Sequence, residues 1–198
     1  MSTATPPHLK IEEYLALERV ARLKHEYVEG VRRPMTGGSR IHSLLGINLG
    51  LALQVALEPK GYWVYNSELK IRTPRGNYFY PDLSVGQDDP QSDETPQDTL
   101  LNPLLVVEIL SPSTEAFDRG RKFSHYCEID SLQTYILVSQ DRPRVEVFTR
   151  QPDDRWMMAA FEKGQVQISV PEFHLEMPQI YHRIHFGLAE SDFEGDAR

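Results

Sequence analysis

Leu104-Leu105-Val106-Val107-Glu108-Ile109-Leu110 is an unbroken apolar run but for one carboxylate. A strand that is apolar at successive positions has no polar face to turn to water, so it needs a sheet covered on both sides. The carboxylate is the exception inside that rule. An ionised group taken out of water destabilises the fold unless something compensates it. A divalent cation is a natural compensator, and metal-assisted phosphodiester cleavage is a natural use for one.

The remaining patterns fit this strand into a mixed sheet with helices on it. Ile11, Tyr14 and Leu15 predict a short helix over 11–18, and Glu29-Gly30 marks a hairpin turn between arms at 25–28 and 31–33. After the Thr36-Gly37-Gly38-Ser39 loop, the spacing of Ile41, Leu44, Leu45, Leu49, Ala52, Leu53 and Ala56 predicts a helix over 40–57 buried along one face. Strands are expected at 62–72, 78–85, 104–110, 134–138 and 144–149, a helix at about 118–128, and a hairpin of 156–161 with 166–170 about Lys163-Gly164. A short helix and an edge element are expected within 173–186. The order makes an α/β (α+β) domain with a mixed central sheet flanked by helices. Residues 1–9 are expected to be a flexible N-terminus, 10–186 a single domain and 187–198 a flexible acidic tail. The acidic stretch 87–98 reads as an exposed loop.

Composition narrows the function. A chain of 198 residues suits one substantial core. The single Cys127 excludes an internal disulfide and, with no apolar leader, predicts a cytoplasmic protein. The apolar stretch 44–57 carries Asn48 and Gln54 and is shorter than the ~20 residues a bilayer requires, so no membrane partner is expected. A formal net charge of −8 counts against a general nucleic-acid coat. It counts less against a nuclease, whose metal pocket is itself acidic. Arg32 and Arg33, Lys70, Arg72 and Arg75, and Arg119, Arg121 and Lys122 are the basic groups that could touch phosphate, and each also reads as part of a solvated mixed-charge surface.

Asp82 follows Pro81 at the start of one strand, and Glu108 lies inside the next. Both offer hard oxygen ligands, and the carbonyl of Ile109 could supply a third. Alternation puts Glu108 and Leu110 on one face, so a lysine at 110 would have reached the same pocket. Leucine stands there, and Lys122 on the following helix is the cation that could enter instead. Asp118 is read as the cap of that helix, or as a solvated i,i+4 partner of Lys122.

Glu12-Glu13-Tyr14-Leu15, His25-Glu26-Tyr27-Val28-Glu29-Gly30, Tyr80-Pro81-Asp82-Leu83-Ser84-Val85, Val106 to Thr114, Asp118, Lys122 and Tyr126, and Gln133 to Val138 follow one another in an order that resembles the PD-(D/E)xK nuclease superfamily, in particular the bacterial Uma-type restriction endonuclease family. The resemblance runs from about residue 10 to about 185. It implies a restriction-endonuclease-like core and a Mg²⁺-dependent site, with Mn²⁺ able to substitute. Asp82 and Glu108 would be metal ligands, Lys122 the relocated catalytic lysine and Glu26 an acidic residue lining the site. Without the resemblance Glu26 reads as a polar residue on an exposed hairpin. His42 falls near a family position often polar or histidine, and reads as a solvated or capping side chain.

The function this implies is hydrolysis of DNA phosphodiester bonds by an endonuclease. A homodimer would suit duplex cleavage, since two strands need two sites. The alternative is a catalytically silent nuclease-fold protein that binds nucleic acid or a protein partner.

Overall fold

In the computed structural model, residues 8–35, 37–87, 90–92 and 98–186 are described. The chain runs α1 (Ile11–Arg19), β1 (His25–Val28), β2 (Val31–Pro34), α2 (Arg40–Leu57), β3 (Tyr62–Asn66), β4 (Lys70–Arg72), β5 (Tyr78–Phe79), β6 (Leu83–Gln87) and β7 (Thr99–Leu100). It continues with β8 (Leu105–Leu110), α3 (Glu115–Phe117), a π-helical turn (Asp118–Lys122), α4 (Phe123–Tyr126), β9 (Thr134–Ser139), β10 (Val145–Arg150), β11 (Trp156–Phe161), β12 (Gln165–Ser169), β13 (Glu172–Glu176) and α5 (Met177–Ile180). The expected tail at 187–198, most of the N-terminal segment and most of the 87–98 loop lie outside the described residues. Leu9 is tied in: its N–H donates to the Gly30 carbonyl and its own carbonyl accepts from the Tyr27 hydroxyl.

The apolar run becomes β8, buried at every position, in a six-stranded sheet of order β11-β10-β9-β8-β6-β3. It pairs parallel with β9 and antiparallel with β6. A parallel neighbour requires a crossover, and the helical stretch from Glu115 to Tyr126 supplies it.

Alternation divides β8 between two cores. Leu105, Val107 and Ile109 join Leu45, Leu49, Leu53 and Leu57 of α2, while Val106 and Leu110 join Tyr126, Ile129 and Leu132 on the opposite face. The outer side of α2 leaves Ile47, Leu51 and Val55 exposed. Leu53 is fully buried between α2 and the sheet. Leu53→Ala should therefore destabilise the fold by about 2–5 kcal/mol, read as a lower urea midpoint at unchanged slope.

A second sheet, β2-β1-β5-β4-β7, joins the core on the crossover side through Val28, Ile71, Phe79 and Leu100, and β12 with β13 forms a separate pair. Four sequence expectations change here. The strand predicted over 62–72 is two strands in different sheets, because the Asn66 side chain and carbonyl take the Glu68 and Leu69 N–H groups and turn the chain. The strand predicted over 78–85 is broken at Pro81, which has no N–H to give a ladder; β5 lies in one sheet and β6 in the other. The hairpin about Lys163-Gly164 does not form: β11 pairs with β10, and β12 pairs with β13. Burial of Val166 and Ile168 with Phe173 and Leu175 beneath α2 outweighs local closure. Finally, the crossover helix starts at Glu115, so Asp118 lies inside it instead of capping it.

Candidate active site

Glu108 faces the crossover because it shares the side of β8 that carries Val106 and Leu110. The crossover is α-helical except between Asp118 and Lys122, where one π-turn intervenes. Such a turn inserts a residue into the helical repeat and rotates the side chains beyond it, and turns of this kind concentrate at functional sites. Lys122 thereby projects inward. Its ammonium lies 2.8 Å from Glu108 Oε1, 2.8 Å from Glu26 Oε1 and 3.8 Å from Asp118 Oδ1.

The two tyrosines of this face hold the arrangement. Tyr126 donates its hydroxyl to Glu108 Oε1 at 3.2 Å, and Tyr135 donates to the Asp118 carbonyl at 3.0 Å. Arg119, one residue into the π-turn, bonds Glu146 on β10 and so ties the turn to the sheet.

Asp82 approaches from the other side. The ladder between β6 and β8 ends at Leu83 opposite Val107. Beyond that end the Ile109 N–H donates to Asp82 Oδ2 at 2.7 Å. The second oxygen, Oδ1, lies 3.3 Å from His42 Nε2. His42 sits in the first turn of α2, where Ser39 Oγ accepts its backbone N–H at 3.0 Å. The histidine expected to be solvated or capping therefore faces the cleft, against Asp82. Nothing local in the sequence marks which way a first-turn side chain points; the Gly37-Gly38-Ser39 approach to the helix is the available signal.

Burial sets the electrostatics. Glu108, Asp118 and Lys122 are 4%, 3% and 4% exposed. Burial lifts the Glu108 carboxyl well above the usual carboxylate range; Lys122 pulls the other way, while Asp118, Asp82 and Glu26 add to the rise. Burial likewise raises Asp118 against the pull of Lys122. For Lys122 burial favours the neutral amine, but Glu108, Glu26 and Asp118 outweigh it and hold the ammonium. One buried cation thus serves an excess of carboxylates. Glu26 Oε1 has that ammonium as its partner. The His42 imidazole is raised chiefly by its hydrogen bond to Asp82, against its own burial, with the Ile109 backbone adding to the rise.

These groups line a cleft of about 250 Å³, open toward the Ser111-Pro112-Ser113-Thr114 turn and Gly37-Gly38. A larger hollow of about 710 Å³ lies between α2 and β13, but its walls are mainly apolar and the charged groups converge in the smaller cleft. Asp82, Glu108, Ile109, Lys122 and Glu26, singled out in the sequence, all reach it. Asp118 and His42 reach it too. Most other basic candidates are engaged elsewhere: Arg32 with Glu18, Lys70 with Asp98 and Arg121 with Glu29. Chemically, the cleft offers hard oxygen donors beside a fixed ammonium, a combination suited to holding a divalent cation and stabilising a developing negative charge.

Comparison with known proteins agrees with this architecture. Residues 11–178 match a family model, Uma2, described as "Putative restriction endonuclease". The uncharacterized protein slr1290 of Synechocystis sp. is 39% identical over 157 residues, covering 79% of this chain and 82% of the relative. A second uncharacterized Synechocystis protein, sll1609, is 32% identical over 172 residues, covering 85% of this chain and 97% of the relative. Among solved structures, a protein from Anabaena variabilis described as "a putative nuclease belonging to DUF820" superposes with a TM-score of 0.70 at 19% identity, covering 87% of this chain and 97% of that one. At that identity the superposition speaks to the fold, a mixed sheet flanked by helices.

Proposed function

The chain belongs to the Uma2 family, described as "Putative restriction endonuclease", and from that premise we propose that it is a Mg²⁺-dependent endonuclease hydrolysing DNA phosphodiester bonds. The observation that carries this reading is the buried contact of Lys122 with Glu108 and Glu26 beside Asp82 at the end of the neighbouring strand. A purely structural ion pair would need one carboxylate for one ammonium. Here the carboxylates of Glu26, Glu108 and Asp118 crowd a single lysine, and Asp82 adds a fourth carboxylate to the same cleft.

A hard divalent cation fits that excess. Among the described residues no group of three or more His, Cys, Asp or Glu side chains is arranged to hold a metal ion. The proposed donor set is smaller, two side-chain carboxylates and a backbone oxygen: Asp82, Glu108 and the Ile109 carbonyl would hold the ion, as suits a cation that keeps several waters. When bound, it would supply Lewis-acid stabilisation of charge on the phosphate.

The chain's own groups do the rest. Lys122, locked by Glu26 and Glu108, presents a donor that would orient the attacking water or stabilise the charge building on the phosphate oxygens. Tyr126 fixes the orientation of Glu108 through its hydroxyl. Because these groups are buried before substrate arrives, little reorganisation accompanies the reaction.

Supercoiled plasmid and single-stranded DNA incubated with Mg²⁺ or Mn²⁺ test the proposal. The wild-type protein should nick or cut DNA, and Asp82→Ala should not. Equal nicking by both would leave the proposed chemistry at Asp82 unsupported, and cleavage of no DNA by either would leave binding without cleavage as the better reading.

A further inference from the structure

We propose that His42 is a positioning residue for the candidate metal site: it holds the Asp82 carboxylate in the one orientation in which the Ile109 N–H and the imidazole each take an oxygen. This inference rests on the reading of Asp82 as a metal ligand.

Asp82 lies outside both ladders, just after the proline that ends one strand and just before β6. Its side chain is about one-fifth exposed, so packing alone does not fix its rotamer. Two polar contacts do. The Ile109 N–H donates to Oδ2 at 2.7 Å, and His42 Nε2 lies 3.3 Å from Oδ1. The first contact leaves the carboxylate free to rock about a single anchor; the second removes that freedom.

His42 is itself held at its backbone and at its ring. Its backbone is pinned by the Ser39 cap of α2. Ser39 Oγ is in turn bonded to Gln140 Oε1 at 2.7 Å, across the mouth of the cleft. Gly38 packs on the ring so closely that a Cβ built there would meet His42 Nδ1 at 2.9 Å and Cγ at 3.1 Å. A side chain at 38 would therefore push the imidazole out of its place. The loop before α2, the first turn of α2 and the strand end carrying Asp82 are coupled through this one ring. Outer groups that fix a ligand's orientation in this way are worth roughly 10–100-fold in metal affinity.

The role assigned is that of a hydrogen-bond donor, which needs no change in charge. Glutamine carries an N–H at a comparable reach and does not titrate, so His42→Gln separates the hydrogen bond from any effect of imidazole ionisation.

Mn²⁺ binding to the full chain, followed by calorimetry or by the loss of free-ion electron paramagnetic resonance, gives the first readout. His42→Ala should bind Mn²⁺ ~10-fold or more weakly, and His42→Gln should stay within about threefold of wild type, both with an unchanged thermal midpoint. The second readout needs no metal. In ¹H–¹⁵N spectra of the metal-free protein the Ile109 amide should move in His42→Ala, as the rocking carboxylate loosens its grip, and return toward its wild-type position in His42→Gln. Equal or tighter Mn²⁺ binding by His42→Ala would overturn the proposal, as would an Ile109 amide that ignores the substitution. If Asp82→Ala binds Mn²⁺ as well as wild type, the metal reading of Asp82 falls instead, and the Ile109 amide still decides whether His42 orients the carboxylate.

Discussion

Lys122→Met should lower DNA cleavage by about 10²–10³-fold and also weaken the fold by about 3–5 kcal/mol. Both effects come from the same geometry. The ammonium is the buried cation shared by Glu26, Glu108 and Asp118. Methionine keeps the length and the apolar stem but leaves those carboxylates facing one another without a counter-charge. Removing one member of a buried ionic cluster costs more than the cluster's net worth, because the remaining charges stay desolvated. Urea unfolding of the metal-free protein measures the stability loss, and plasmid nicking under Mg²⁺ measures the catalytic one. A variant as stable as wild type would mean that Lys122 does not neutralise the cluster. A variant that is destabilised yet cleaves at the wild-type rate would restrict the lysine to structure.

Glu108→Gln should separate these effects. Cleavage should fall by at least ~10²-fold, since the amide is a poor ligand for a hard cation and a weaker partner for Lys122. Stability, however, should hold or rise. Lys122 retains Glu26 and Asp118, so no charge is orphaned, and the carbonyl of the introduced amide would still accept from Tyr126. The substitution also removes the carboxylate whose burial is costly enough to lift it well above the usual range. An inactive protein with an equal or higher urea midpoint is thus the expected result. Loss of several kcal/mol would identify Glu108 as a structural counter-ion to Lys122, and full activity would remove it from the site. A stability gain on loss of function marks a site at which the fold tolerates strain for the sake of chemistry.

The contrast between the two variants explains why the site is partly legible in the sequence. A carboxylate among Val106, Val107, Ile109 and Leu110 is costly wherever the strand ends up, so Glu108 draws notice from local sequence alone. Lys122 and Asp118 do not: four residues apart on a helix, they read equally well as an exposed pair. Whether they face water or Glu108 depends on a π-turn that no spacing rule announces. His42 reads as solvated for the same kind of reason. Its partner, Asp82, is distant in the chain and becomes a neighbour only when α2 packs across β8.

Periodicity and interruption by themselves determined the mixed sheet under helices, the limits of α2, the fully buried β8 and the one carboxylate inside it. Each depends on interactions within a turn or a strand, where residue type and spacing state the outcome. Tertiary structure alone decided which strands share a sheet, the pairing of β12 with β13 instead of β11, the inward turn of Lys122 and the meeting of His42 with Asp82. Those outcomes compare burial in one place with burial in another, a competition between distant segments that no local pattern contains. Convergence of Glu26, Asp82, Glu108 and Lys122 belongs to the second kind, because the cost of an isolated buried charge is met only by groups brought in from elsewhere in the chain.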